Sequence, residues 1–228
     1  MSNRRARNLY AVMVPLVALG LAACSPNSDA TSGTQSTASP SAQSQSTQPQ
    51  SSDTSAQSAA AAAQDALTAS AKAAEATMTT PINGDAWVTS LEPLEPTYSA
   101  PGLVFHDMRV GEHDGFYRVV IEFAGQGTPG LMQSWADKPL EQGRGRELPV
   151  QGPAWLDLVL TGTTMPVTDG LNALYYDGER QMQIGPLDVR EDGTFEDTTH
   201  IVIGMDEARE FQIGFLESPA RAVIDIRK

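Results

Sequence analysis

The stretch Arg118-Val119-Val120-Ile121-Glu122-Phe123 alternates between two characters. Val119, Ile121 and Phe123 fall on one side and Arg118, Val120 and Glu122 on the other, the period-2 pattern of a half-buried strand. Residues 211–215 alternate in the same way. So do residues 221–227, with Ala222, Ile224 and Ile226 on the inward side. Further strand-like runs lie at 103–110, 130–135, 154–161, 182–190 and 194–205. Between runs stand Asp114-Gly115, Asp177-Gly178 and Asp192-Gly193; Asp-Gly between two strands favours a type I′ hairpin, whose central residues both need φ > 0. Only 206–210 reads as a helical turn. The pattern predicts an all-β fold, an antiparallel β-sandwich of about eight strands.

Two stretches break the rhythm. Residues 136–153 carry Gly143, Gly145, Gly152, Pro139, Pro149 and Pro153, and read as a long loop with a short strand at 147–150. Residues 162–181 hold Tyr175 and Tyr176 just before a turn signal. The His113-Asp114 pair invites a catalytic or metal reading, but Asp114-Gly115 supplies a hairpin corner. His113 then stands where a side chain hydrogen-bonds local backbone.

The N-terminal third follows different rules. Arg4, Arg5 and Arg7 precede an apolar run from Leu9 to Leu21, shorter than the roughly 20 residues of a membrane span. The run ends Leu21-Ala22-Ala23-Cys24, which resembles the lipobox of bacterial lipoproteins. That resemblance implies a signal peptide at 1–23, cleavage before Cys24, and lipidation of Cys24. Arg7 stands where a twin-arginine signal usually has an apolar residue, so general secretion is the expected route. Cys24 is the only cysteine, which excludes an intramolecular disulfide. A diacylglyceryl group would meet the roughly two-chain requirement for stable anchoring.

Residues 24–81 form the expected linker: Ser, Thr, Gln, Ala and Pro dominate, and aromatics are absent from 25–80. Such a composition buries too little apolar area to offset chain entropy. Ala59 to Met78 favours helix, but Leu67 and Met78 are its only large apolar residues, and a helix without a partner is marginal at that length. As a coil the segment spans ~40 Å. The globular part is then 82–228.

This part holds 24 of the 28 acidic residues and 11 of the 15 basic ones, a balance of −13. That argues against a nucleic-acid partner, which is bound through clustered Lys and Arg, and disfavours an anionic membrane surface.

Three elements carry a further resemblance. They are Met108-Arg109-Val110-Gly111-Glu112-His113-Asp114-Gly115-Phe116-Tyr117-Arg118-Val119-Val120-Ile121-Glu122-Phe123, Thr199-His200-Ile201-Val202-Ile203-Gly204-Met205, and Pro219-Ala220-Arg221-Ala222-Val223-Ile224-Asp225-Ile226. Together they resemble the AMIN-like domain of actinobacterial secreted and lipid-anchored proteins, over roughly 101–228. Tyr117, where the family often has Asp, and Ala222, in place of a branched residue, depart from the pattern. The resemblance implies a non-catalytic β-sandwich serving the cell envelope through wall binding.

Searches for chemistry return little. There is no Gly-x-Ser-x-Gly elbow around Ser134 or Ser218. His106, His113 and His200 lack zinc spacing. The run Asp188-Val189-Arg190-Glu191-Asp192-Gly193 opens like an EF-hand loop but has Arg190 at the third position, where an oxygen ligand belongs, and Thr199 at the twelfth, where a bidentate acid belongs, so it reads as a charged hairpin tip. No cofactor, metal site or catalytic residue is expected. Exposed aromatics beside Arg and Asp suit a sugar-binding surface, which selects Tyr117, Arg118, Tyr175, Tyr176 and Asp177 as candidate ligand-binding residues. For the tyrosines the plain alternative is core or rim packing. For Arg118 and Arg221 it is an ion pair with Glu122, Asp225 or another acid.

The expectation is a non-enzymatic lipoprotein on the extracytoplasmic face of the cell membrane, held there by its lipid anchor. Its partner would be peptidoglycan, another wall glycan, or an envelope protein. An envelope hydrolase and a ligand-carrying lipoprotein are the competing readings; the latter needs a sizeable apolar cavity.

Overall fold

The computed structural model describes residues 51–98 and 102–228; residues 1–23, expected to be a signal peptide, and Cys24 lie outside them. Eleven strands follow one helix, α1 (Ser51–Glu75). They are β1 (Thr97–Tyr98), β2 (Val104–His113), β3 (Phe116–Ala124), β4 (Gly127–Thr128), β5 (Gly130–Ala136) and β6 (Ala154–Thr161). After a one-turn helix α2 (Asp169–Asn172) come β7 (Gln181–Ile184), β8 (Leu187–Phe195), β9 (Thr198–Met205), β10 (Phe211–Leu216) and β11 (Ala220–Arg227). Two antiparallel sheets form, in the orders β10-β11-β3-β2 and β5-β6-β9-β8-β7, with β1 and β4 as a small separate pair. The antiparallel sandwich is the one the alternation predicts.

The inward faces also match. Val119, Ile121, Phe123, Ala222, Ile224 and Ile226 meet Leu156, Leu158, Leu160, Val189, Ile201 and Ile203 from the facing sheet, all of them buried. Each large side chain so buried contributes about 1.5–3 kcal/mol.

The turns differ from expectation. At Asp114-Gly115 the strands pair His113 with Phe116 across a two-residue turn, but only Gly115 takes positive φ (+82°), so the turn is not type I′. His113 stacks its ring on Phe116, 4.7 Å between centroids and 6° between planes, rather than bonding the turn backbone. Asp192-Gly193 is not a hairpin tip. It is a bulge inside β8 (Gly193 φ +105°), and the turn falls at Glu196-Asp197. Asp177-Gly178 lies in an irregular loop before β7. The strand expected at 147–150 is reduced to one bridge between Leu140 and Glu147. The 136–153 loop instead folds onto the outside of the five-stranded sheet, with Leu148 and Val150 against Val202 and Trp155.

The largest correction concerns the linker. Residues 51–75 of it are α1, and α1 has a partner: the outer face of β2, β3 and β11. The buried positions are Gln64, Thr68, Ala71 and Glu75, a helical stripe with one apolar member. Thr68 hydrogen-bonds Glu122, and Lys72 lies 3.0 Å from Asp107. Glu75 accepts two hydrogen bonds from Arg109 (2.7 and 2.8 Å) and one from Arg221 (2.6 Å). Polar pairing replaces the missing hydrophobic face. Residues 80–84 continue the cover: Ile82 N–H donates to Asp225 (2.6 Å) and Asn83 N–H to Gln212 (2.8 Å).

Candidate functional site

A cleft opens where α1 faces the irregular loop 172–178. His106 and Asp107 of β2 form its floor, Asp65, Thr68 and Lys72 of α1 one wall, and Tyr175, Tyr176 and Asp177 part of the other, around about 450 Å³. Thr168 starts the loop by capping α2, its hydroxyl accepting from Leu171 N–H (3.3 Å). His106 then ties the two walls: its Nδ1 bonds the Leu174 carbonyl at 2.6 Å, and its Nε2 lies 3.5 Å from Asp65. Three carboxylates (Asp65, Asp107, Asp177) against one ammonium make the cleft acidic. It suits hydroxyl or ammonium donors.

The tyrosines are half-buried. Tyr175 meets the Phe105 ring edge-on (5.8 Å, 87°) and Tyr176 lies 4.9 Å from it. The Tyr175 hydroxyl donates to Thr194 Oγ1 (3.1 Å) and accepts from Thr194 N–H (3.0 Å), while that of Tyr176 donates to the Glu179 carbonyl (2.8 Å). Burial, reinforced by the charges of Asp107, Glu191, Glu179 and Asp177, pushes the Tyr176 phenol up to about 12. Burial likewise raises Tyr175, against the opposing hydrogen bond to Thr194. Both rings are anchors of the loop, with one edge each left to the cleft.

The structure separates the other candidates from this pair. Tyr117 pairs with Glu112, seven residues along β2 from Phe105, or roughly 20 Å at strand rise. It is packed at the opposite end of the core, with Lys228 Nζ 5.0 Å from its ring. Arg118 points to the outer face and is 2% exposed. Its Nε and Nη2 donate to the two Asp225 oxygens (2.7 and 2.8 Å), and its guanidinium lies over Phe116. The ion-pair alternative holds for Arg118, with Asp225 as partner. Glu122 pairs instead with Arg109 (2.9 Å). Burial pulls Arg109 down, but the Glu75 hydrogen bonds and the charges of Glu75, Glu122 and Asp107 outweigh it and raise its pKa. Arg118 also lines a hollow of about 330 Å³ beside the last turn of α1, where Glu75 and Arg109 are already paired.

Sequence reasoning missed a second polar cluster, on the outer face of the five-stranded sheet. His200, 2% exposed, lies between Asp192 (Nδ1–Oδ2 3.0 Å) and Asp157 (Nε2–Oδ2 3.2 Å). Burial opposes the charged ring, yet the hydrogen bonds to Asp157 and Asp192 win and the pKa rises. Asp157 pairs directly with Ser134, so β6 stands between that serine and His200. Two strand spacings are about 10 Å, too far for the imidazole to take the hydroxyl proton. The acids of the supposed calcium loop are engaged as well: Asp188 with Gln151 and Gln181, Glu191 with Arg180, Asp192 with His200. Among the described residues no set of three or more His, Cys, Asp or Glu is placed to hold a metal ion. No helix among them is long and apolar enough to cross a membrane.

The β-sandwich thus carries open polar clefts on its surface over a filled interior. The AMIN-like domain matches residues 103–228, more than half of the chain. The chain belongs to the AMIN-like family, a family of envelope-related binding domains. No curated protein matches it.

Proposed function

We propose that this chain is a lipid-anchored envelope protein that catalyses no reaction and whose sandwich holds a wall polymer. The lipobox supplies the anchor through Cys24, and the Ser/Thr/Gln/Ala segment up to α1 acts as the tether. The domain would then work on the extracytoplasmic face of the membrane. The observation that carries the reading is the run of clefts along one side of the domain. Tyr175, Tyr176 and Asp177 line both the cleft against α1 and a neighbouring hollow, and Arg180 joins that hollow to the next. An extended polar chain fits such a row better than a compact metabolite. An apolar cargo does not fit, because charged side chains line these clefts and Phe105, Phe123 and Phe211 help fill the interior.

The test is retention of the full chain, carrying Cys24→Ser to remove the acylation point, on purified cell wall. The wild-type sandwich is expected to be retained, and Tyr176→Ala to weaken retention more than a folded Arg118→Met, since the Arg118 guanidinium is buried and spent on Asp225. No retention on wall material from any envelope-complete source, with the protein folded, would sink the reading. For the anchor, fatty-acid label is expected on the wild type and absent from Cys24→Ser.

A further inference from the structure

The third hollow in that row lies under the 136–153 loop, against the outer face of β8, and measures about 250 Å³. Arginines enter it from three directions: Arg144 from the loop, Arg180 from just before β7, Arg190 from β8. Arg180 is held by Glu191, whose hydrogen bond raises its pKa. Arg144 and Arg190 have no acidic partner among the described residues, and the buried Nε of Arg190 has no hydrogen-bond partner at all. Arg144 is exposed, as is Arg146, which also lacks an acidic partner among the described residues, so the unmet buried Nε of Arg190 is the unusual feature in a domain with 24 acidic residues. Arg109, Arg118, Arg209, Arg221 and Arg227 each pair with a carboxylate. Leaving a buried guanidinium donor unmet costs the desolvation of a charged group.

Three further lining residues narrow the chemistry. Glu141 presents a buried Oε2 that no donor meets. Asp192 also lines the pocket, but its Oδ2 already accepts from Gln142 N–H (2.7 Å) and faces His200. Phe195 is 48% exposed at the rim. Guanidinium forks match oxyanions. A lone carboxylate oxygen accepts from a hydroxyl, and an exposed aromatic ring takes the C–H face of a sugar. No single one of these points to a sugar; their convergence in one pocket does.

We propose that the Arg144–Arg180–Arg190 pocket binds an acidic sugar unit, its phosphate or carboxylate oxygens on Arg144 and Arg190, a hydroxyl on Glu141 and its ring against Phe195. This deepens the wall-polymer reading and rests on it for the biological source of the sugar. Two kinds of unit share the chemistry, a sugar phosphate and a uronic acid, and the experiment separates them. The full chain is titrated with glucose 6-phosphate, glucuronate and glucose at low ionic strength, followed by backbone amide NMR shifts.

At least one charged sugar is expected to bind at least about tenfold more tightly than glucose, with shifts centred on 141–144 and 190–195. Added salt should weaken it. Arg144→Gln, on the exposed loop, and Arg190→Gln are each expected to cost about tenfold or more, while Lys138→Gln, outside the pocket, changes nothing. Charged sugars binding no better than glucose would overturn the site, as would unchanged binding by a folded Arg144→Gln Arg190→Gln double variant. The two readings fail separately. Wall retention without acidic-sugar binding removes this pocket alone; acidic-sugar binding without wall retention removes the wall as its source.

Discussion

Glu75 Oε1 lies 2.6 Å from Arg221 Nη1, across 146 residues of chain. The same carboxylate holds Arg109, so one acid on α1 closes two strands of the four-stranded sheet.

Glu75→Gln is therefore expected to release α1. Breaking a buried pair costs roughly 3–5 kcal/mol, because it leaves charge uncompensated. Here the observed loss is capped by the docking free energy of α1, beyond which the helix simply leaves the sheet. Amide hydrogen exchange checks it: protection should fall across 60–75 while β3, β9 and β11 keep theirs. Equal loss in helix and strands would show that α1 is part of the cooperative core instead.

Arg118 and Asp225 form the second buried pair, 3% and 0% exposed at their side chains. Arg118→Met is expected to destabilise the sandwich by about 3–5 kcal/mol, since Asp225 would then face only Ile82 N–H and one missing guanidinium. Adding Asp225→Asn should recover part of the loss, the non-additivity expected of contacting residues. Denaturant midpoints for the two single variants and the double variant measure the coupling.

Two histidines are expected to pull stability in opposite directions with pH. His200 has a raised folded pKa, so its contribution is complete below the unfolded value near 6.5 and is lost as pH rises through the folded value. His113 is lowered, by burial and by the Arg118 charge. Its contribution is complete above the unfolded value and is lost as pH falls through the folded one. Ring-proton NMR titration should put His200 above 6.5 and His113 below it. His200→Asn should leave a chain whose stability no longer falls with rising pH in that window. A His200 midpoint at or below the unfolded value would contradict the two-aspartate clamp.

What could be read from the chain followed from local periodicity. The strands β3, β10 and β11 announce their inward faces every second residue, because burial on a pleated sheet is decided one strand at a time; Val119, Ile121 and Phe123 need no knowledge of their partners. The turn types were less legible. Asp114-Gly115 and Asp192-Gly193 are the same dipeptide, yet one closes a hairpin and the other bulges within a strand, since the register of β8 against β9 decides which. The tyrosine loop was visible as aromatic residues near a turn, but not that both hydroxyls are spent on Thr194 and Glu179.

By itself the sequence determined the sandwich class, the inward faces of β3 and β11, the single cysteine after an apolar run, and the family marks along β2–β3, β9 and β11; it ran β7 and β8 together at 182–190, because the Gly185-Pro186 turn between them interrupts no apolar pattern, and joined the end of β8 to β9 at 194–205. Tertiary structure alone decided the polar half of the molecule. The stripe Gln64, Thr68, Ala71 and Glu75 has no hydrophobic signal, so α1 looks partnerless until Arg109, Glu122 and Arg221 are brought beneath it. Arg118 takes Asp225 rather than Glu122 because those two sit opposite each other in the β3–β11 register. Arg144, Arg180 and Arg190 converge only once the long loop lies over β8. Hydrophobic burial is non-directional and readable locally, whereas an ion pair needs two particular atoms within about 3 Å, and only the assembled sheets place them there.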